Sequence, residues 1–245
     1  MSAIEYDPLL VGLSYVISVF GSYTALQLAA AIPEGRTWGS IIGAVTGAAV
    51  ALGGGAVWSM HFIGMTAANL GMPVAYDPTL TLASLIVGIL ALAIGLFIVG
   101  RSDGGPVNLP VGGLLSGLGA ALMHYTGMAA MILPAKMSYD LTLFGASIVI
   151  AVVAATVALW LAFNLRGNRQ RFGSAFVIAL AVCAMHYTGM FALKLEPTKG
   201  VIADTRFPSS PANLAFSVFG ITAVLLAVLL VYSVWRSQRT LTADL

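Results

Sequence analysis

The sequence predicts an all-α integral membrane fold: seven transmembrane helices, made of three parallel two-helix repeats and one additional C-terminal helix. Composition identifies the solvent. At 59% hydrophobic and 8% charged residues, with a mean hydropathy of +0.97, the chain has more apolar surface than a soluble domain of its length can bury, since such domains run at roughly 25% charged. Segmentation gives the helix count. Stretches free of Asp, Glu, Lys and Arg cover 9–33, 38–76, 79–100, 104–135, 141–165, 172–193 and 207–235, each at or above the ~20 apolar residues a spanning helix needs. Repetition gives the architecture, because Met60-His61-Phe62-Ile63-Gly64-Met65 recurs as Met123-His124-Tyr125-Thr126-Gly127-Met128 and Met185-His186-Tyr187-Thr188-Gly189-Met190, at spacings of 63 and 62 residues. A fixed period marks a duplicated structural unit.

In chain order, Glu5 and Asp7 replace the basic start of a signal peptide, so the first apolar stretch reads as an uncleaved span. All ten prolines fall at or near the ends of the seven windows, where a missing N–H costs least. Tyr6-Asp7, Tyr76-Asp77 and Tyr139-Asp140 each precede an odd-numbered span. One unit is therefore Tyr-Asp, helix, loop, helix, His/Met motif, with boundaries near 6–70, 76–134 and 139–195 and the extra helix near 211–236, all within one domain, 1–245. About nine residues follow Arg236, too few for a folded output module. The single cysteine, Cys183, precludes an intrachain disulfide; it lies three residues before His186 without a counterpart in the other repeats and reads as packing.

Each unit contains two crossings, so all three run in the same sense and are related by rotation about the membrane normal. The motifs then lie at one depth. Helices 2, 4 and 6 are expected to surround a pseudo-threefold axis, with 1, 3 and 5 outside them. Loop charges set orientation: with the N-terminus outside, Arg36, Arg101, Arg166, Arg169, Arg171, Arg236 and Arg239 are inside, against Lys136, Lys194, Lys199 and Arg206 outside. Asp7, Asp77 and Asp140 have the character of N-caps, two of them followed by proline, or else of acceptors that orient imidazoles from the same membrane level.

The three motifs contain every histidine of the chain. Within each, the histidine and the methionine four residues later share a helix face about 40° apart, while the first methionine points about 100° away. The motif glycines leave room for a neighbouring helix. So do the small-residue series Gly39, Gly43, Gly47, Ala51, Gly55, Ser59 and Gly112, Ser116, Ala120, since such stripes bring membrane helices together. Imidazole and thioether form a soft to borderline ligand set, better suited to copper, Cu(I) in particular, than to Mg²⁺, Ca²⁺ or Mn²⁺. Three histidines also suit a zinc site with an open position, and a haem axial ligand is a further option that does not need three equal motifs. The methionines favour copper. One buried histidine with methionine filler is ordinary packing, but three equivalent copies point to a shared functional site, because imidazoles in spans tend to mark function. Tyr125 and Tyr187 read as interfacial belt residues rather than extra ligands.

At these motifs the chain resembles the MHYT-domain family of bacterial integral membrane proteins, over nearly its whole length. The resemblance implies a sensor module of the bacterial inner membrane that holds copper near the outer face and detects oxygen, carbon monoxide or nitric oxide. Its ligands would be Met60, His61, Met65, Met123, His124, Met128, Met185, His186 and Met190. Phe62 and Ile63 depart from the family string, so a role for the motif Tyr or Thr cannot be threefold. Many members also carry a cyclic-di-GMP cyclase, phosphodiesterase or kinase-type domain; without one, a sensor needs a separate signalling partner. The competing reading is a small-solute or metal transporter with the same polar layer as its gate, but such proteins usually show polar groups deep in the spans and inverted repeats. The sequence contains no recognisable catalytic constellation and no basic nucleic-acid footprint, so neither an enzyme nor a nucleic-acid partner is expected.

Overall fold

A computed structural model of the chain describes residues 4–101, 107–165, 167–198 and 211–243. Seven long helices form it: α1 (Pro8–Ala29), α2 (Trp38–Ala67), α3 (Pro78–Gly100), α4 (Asn108–Ala129), α5 (Leu141–Asn164), α6 (Asn168–Ala192) and α7 (Pro211–Ala243). All but α4 are long and apolar enough by themselves to cross a membrane. Glycines, Ser116, Asn108 and His124 lower the hydropathy of α4, which nevertheless packs between α3 and α5. The chain is a multi-pass membrane protein.

Two-stranded antiparallel ribbons close the repeats at one end of the bundle. Residues just before α1, α3 and α5 pair with residues just after α2, α4 and α6: β1 (Glu5–Tyr6) with β2 (Ala68–Asn69), β3 (Ala75–Tyr76) with β4 (Met131–Ile132), and β5 (Ala135–Tyr139) with β6 (Leu193–Pro197). The same hydrogen bond ends each ribbon, from Asp7 N–H to Ala67 O, Asp77 N–H to Ala130 O and Asp140 N–H to Ala192 O, at 2.9, 2.8 and 2.8 Å. Every aspartate then caps its helix. Asp7 accepts from the N–H groups of Leu9 and Leu10, Asp77 from Leu80, and Asp140 from Thr142 and Leu143. Capping is thus the role of all three; their carboxylates turn back onto their own helices, which excludes the alternative of orienting imidazoles. Lys194 donates a 2.9 Å hydrogen bond to Asp140 across the third ribbon, and this contact, followed by the Leu143 N–H, holds the Asp140 carboxyl below its ordinary pKa.

Helices α2, α4 and α6 bring their motifs together, but the outer helices are not equivalent. Half of α1 is buried, against 33% of α3 and 28% of α5, because α7 packs over α1 and α2. Only 17% of α7 is itself buried.

The small-residue series behave differently. Gly112 and Ser116 face α3, where Ser116 donates to Ala91 O and a methyl at Gly112 would meet Val99. In α2, a widened π-helical stretch, Val50–Trp58, rotates the register. A four-residue spacing overshoots the 3.6-residue α turn by about 40° per step, so the stripe drifts around the α-helical part of α2 before the π stretch begins. Gly39 and Gly43 accordingly have no described neighbour within 4 Å of an added methyl, whereas Gly55 faces Leu226 of α7. Gly53 abuts the α3 backbone at Gly88, and Gly21 of α1 abuts Ala56. Among the loop charges, Arg36, Arg101, Arg169 and Arg171 lie at the end opposite the ribbons and Lys136 and Lys194 within them; Arg166, Lys199 and Arg206 lie outside the described residues.

Candidate metal centre

About two turns below the ribbons, His61, His124 and His186 meet at the centre of the bundle, each with no exposed surface. Their Nδ1 atoms form a triangle with sides of 2.9 Å (His61 to His124), 3.0 Å (His61 to His186) and 3.4 Å (His124 to His186). The rings stand edge-on, with centroids 4.7–5.2 Å apart.

The motif glycines create this arrangement. A methyl at Gly64 would fall on Nε2 of His186, one at Gly127 on Nε2 of His61, and one at Gly189 on Nε2 of His124. Each glycine therefore makes room for the imidazole of another repeat, in the cyclic order His61 on Gly127, His124 on Gly189, His186 on Gly64. The expected contact with a neighbouring helix is in fact a contact with a neighbouring side chain. A ring backed against a glycine at its Nε2 edge turns Nδ1 toward the axis.

The geometry suits a metal ion. Nδ1 atoms this close, in rings with one proton each, cannot all form good hydrogen bonds with one another, and all three Nε2 atoms are buried with no hydrogen-bond partner among the described residues. Leaving such a group unsatisfied costs about 1–3 kcal/mol. A cation among three Nδ1 lone pairs removes the first conflict and places the ring protons on Nε2. The circle through the nitrogens has a radius of about 1.8 Å, close to the ~2.0 Å length of an imidazole–metal bond. Among the described residues, the ring nitrogens of His61, His124 and His186 lie within 4.8 Å of one another, close enough to hold one ion together.

The six motif methionines divide into two sets. Met65, Met128 and Met190, one turn toward the ribbons, share one apolar cluster with Phe62, Met131 and Leu193. This cluster lies over the histidine layer on the ribbon side, with its three motif methionines one helical turn from the histidines. Met60 and Met123 belong instead to the main core, Met123 against Gly88 of α3, and Met185 packs with Ala121 and Ala151. Helical spacing separates the two sets, as expected from the 100° offset.

The motif tyrosines are struts rather than belt residues. Tyr125 Oη shares a 2.6 Å hydrogen bond with Ser147 of α5, and Tyr187 Oη one of 3.3 Å with Ser14 of α1. Ser84 of α3 is the third equivalent, seven residues after Asp77 as Ser14 is after Asp7 and Ser147 after Asp140. Phe62 has no hydroxyl to offer it. Trp58, one turn earlier and stacked on Phe62 at 5.4 Å, donates its indole N–H to Ser84 at 3.0 Å. Trp58 occupies the position of Cys183 in the third repeat and Ala121 in the second, and Cys183 is a buried packing residue as expected. The Tyr-Asp tyrosines complete the joints: Tyr6 packs on Tyr187, Tyr76 on Phe62 and Tyr139 on Tyr125, with centroids 5.4, 5.0 and 5.4 Å apart. An aromatic ring is the threefold requirement at this position, and the hydroxyl is replaceable. The signal for these partners was present in the sequence as serines at equal distances from three aspartates. Tyr125→Phe, which removes one such hydrogen bond and keeps the ring, should lower stability by about 1 kcal/mol, and Trp58→Phe, which also replaces the indole by a smaller ring, should cost more. Thermal unfolding in detergent measures this, and unchanged melting in both variants would show the bonds to be unimportant.

A family model described as a bacterial signalling protein N-terminal repeat, MHYT, matches the chain three times, at residues 54–112, 117–175 and 180–243. The matched segments start at the same 63-residue period but are cut at a different phase, from motif helix to following helix. The chain is 39% identical over 244 residues to the bifunctional diguanylate cyclase/cyclic di-GMP phosphodiesterase MucR of Pseudomonas aeruginosa, covering 96% of this chain and 34% of that protein. It is 30% identical to the cyclic di-GMP phosphodiesterase NbdA of the same organism, over 96% and 30% of the two chains. With the signaling protein YkoW of Bacillus subtilis the identity is 31%, over 77% and 24%. The chain thus spans about a third or less of the length of these relatives. No solved structure matches it.

Proposed function

Because this chain belongs to the MHYT family of bacterial signalling-protein repeats, we propose that it is a membrane sensor whose histidine triad holds one copper ion and responds to a diatomic gas, or to copper itself. The observation that carries this reading is the triangle of Nδ1 atoms. His61, His124 and His186 would hold the ion, and Met65, Met128 and Met190 are the thioethers nearest to hand on the ribbon side. Copper, when bound, supplies a soft redox-active centre able to take up a small ligand. The chain's own residues orient the rings through the glycine contacts, exclude water by complete burial, and tie each motif helix to the next repeat through Tyr187–Ser14, Trp58–Ser84 and Tyr125–Ser147. A change at the triad therefore bears on every inter-repeat joint. Full burial beneath an apolar cluster supports a closed centre rather than a conduit.

We read the module as non-catalytic and as reporting to a signalling partner or output domain. Cyclic-di-GMP turnover, named for MucR and NbdA, is the kind of output it would control. We read it as a protein of the bacterial inner membrane with the ribbons outside, a reading supported by the arginines at the opposite end. Labelling Asn168→Cys with an impermeant thiol reagent tests this: reaction in intact cells would reverse the orientation.

Protein purified with copper present and without chelators should carry about one ion per chain if the triad is a single centre. Met128→Leu, similar in size and apolar, should weaken copper while sparing zinc, which does not need thioether. A well-folded preparation that takes up no transition metal, and whose melting ignores added copper, would overturn the proposal.

A further inference from the structure

Directly beside the histidine layer, on the side away from the ribbons, an apolar cavity of about 30 Å³ lies among α2, α3, α4, α5 and α6. We infer that it is a binding site for a small apolar molecule of diatomic size. Val57, Ala120 and Val182 line it, and each stands four residues before a motif histidine on its own helix, so the cavity begins about one turn from all three rings. Met185, the immediate neighbour of His186, lines it too.

Size and chemistry together select the occupant. A cavity needs roughly 10–15 Å³ of such volume to admit one water, and the water needs two to four polar partners. Volume is sufficient here, but every lining side chain is apolar. Apolar cavities of this kind stay dry and take up xenon or similar guests. A lipid chain or an aromatic ring is too large, whereas one or two heavy atoms fit. The wall toward the bilayer is thin: α5 contributes alanines, Ala155 and Ala158 among them, while its lipid face carries the larger Val149, Val153 and Val157. With the Met65, Met128 and Met190 cluster lying over the histidine layer on the ribbon side, the side open to an apolar solute is the hydrocarbon past α5.

The inference deepens the proposed sensor reading by naming the chemistry of the molecule that comes to lie beside the imidazoles, and only that consequence rests on the reading. Occupancy needs no metal. Xenon NMR of the whole chain in detergent, under rising xenon pressure and against protein-free micelles, tests it. Wild type should show a saturable shift on top of the linear response of the micelles. Ala155→Leu, which fills the cavity, should lose the saturable part; Val182→Ala, which enlarges it, should bind xenon more tightly; Val153→Leu, on the lipid face, should change nothing. A purely linear response in wild type, or a saturable part that Ala155→Leu leaves intact, would overturn the inference. Should Ala155→Leu fail to fold, Val182→Ala decides alone, and no gain there counts against the cavity. Metal analysis of the same preparations separates the two claims: retained metal without saturable xenon defeats the cavity alone, and saturable xenon without metal defeats the metal centre alone.

Discussion

Gly127→Ala should destabilise the protein and abolish its metal binding, whereas the same change at Gly173 should be neutral or stabilising. Glycine inside a helix normally costs about 0.5–1 kcal/mol relative to alanine, so the usual effect of the substitution is a gain. Gly173, on α6, has no described neighbour within 4 Å of an added methyl and should show it. At Gly127 the methyl instead lands on Nε2 of His61, a ring with no exposed surface. Relief requires moving the ring or the helix, and overpacking of this kind costs about 1–3 kcal/mol or more, which outweighs the propensity gain. Moving the ring also displaces Nδ1 from its 2.9 and 3.0 Å neighbours. The cyclic order sharpens the test. Adding His61→Ala to Gly127→Ala should recover most of the lost stability, because the clashing ring is gone, while His186→Ala, whose ring rests on Gly64, should not. Equal recovery from both would show that the glycine contact is not specific to one imidazole. Thermal unfolding in detergent, with metal analysis of each variant, gives both readouts.

The second large effect is expected at the ring itself. His124→Ala leaves two of three inward nitrogens, and the thioethers of Met65, Met128 and Met190, already present beside the intact triad, do not supply a third imidazole. Removing even the outer partner of a metal ligand typically costs about 10–100-fold in affinity, and deleting the ligand should cost at least that. A ligand that binds only the folded state at 100 times its Kd stabilises it by about 2.7 kcal/mol, so Cu(I) supplied with a reductant should raise the melting temperature of wild type and leave that of His124→Ala unmoved. In the absence of metal the order should reverse for His124→Leu with His61→Leu and His186→Leu. That triple change replaces three partnerless Nε2 atoms by apolar groups, which is near neutral or stabilising when all the polar members of a group are removed together. Metal-dependent stability confined to the intact triad is the signature of a binding centre. Equal responses to copper in wild type and His124→Ala would make the triad a packing feature.

The sequence by itself determined the membrane setting, the seven helices, the three repeats and the common depth of the histidines. Each rests on a quantity that is local along the chain. Charges are expensive in hydrocarbon, so charge-free windows separate the spans, and an even number of crossings per unit obliges His61, His124 and His186 to share one level. The helical angle between His124 and Met128, and between His124 and Met123, was legible for the same reason, and so was the capping chemistry of Asp7, Asp77 and Asp140. Tertiary structure decided what lies opposite each face. That Gly127 receives His61 rather than a helix backbone, that Nδ1 rather than Nε2 turns inward, that Trp58 serves Ser84 where Phe62 cannot, and that Gly39 and Gly43 meet no described neighbour while Gly55 meets Leu226 all depend on the order and register in which helices pack around the axis. A residue's angle on its own helix follows from its position in the chain, but the neighbour it meets is set by non-local packing that no spacing along one helix encodes.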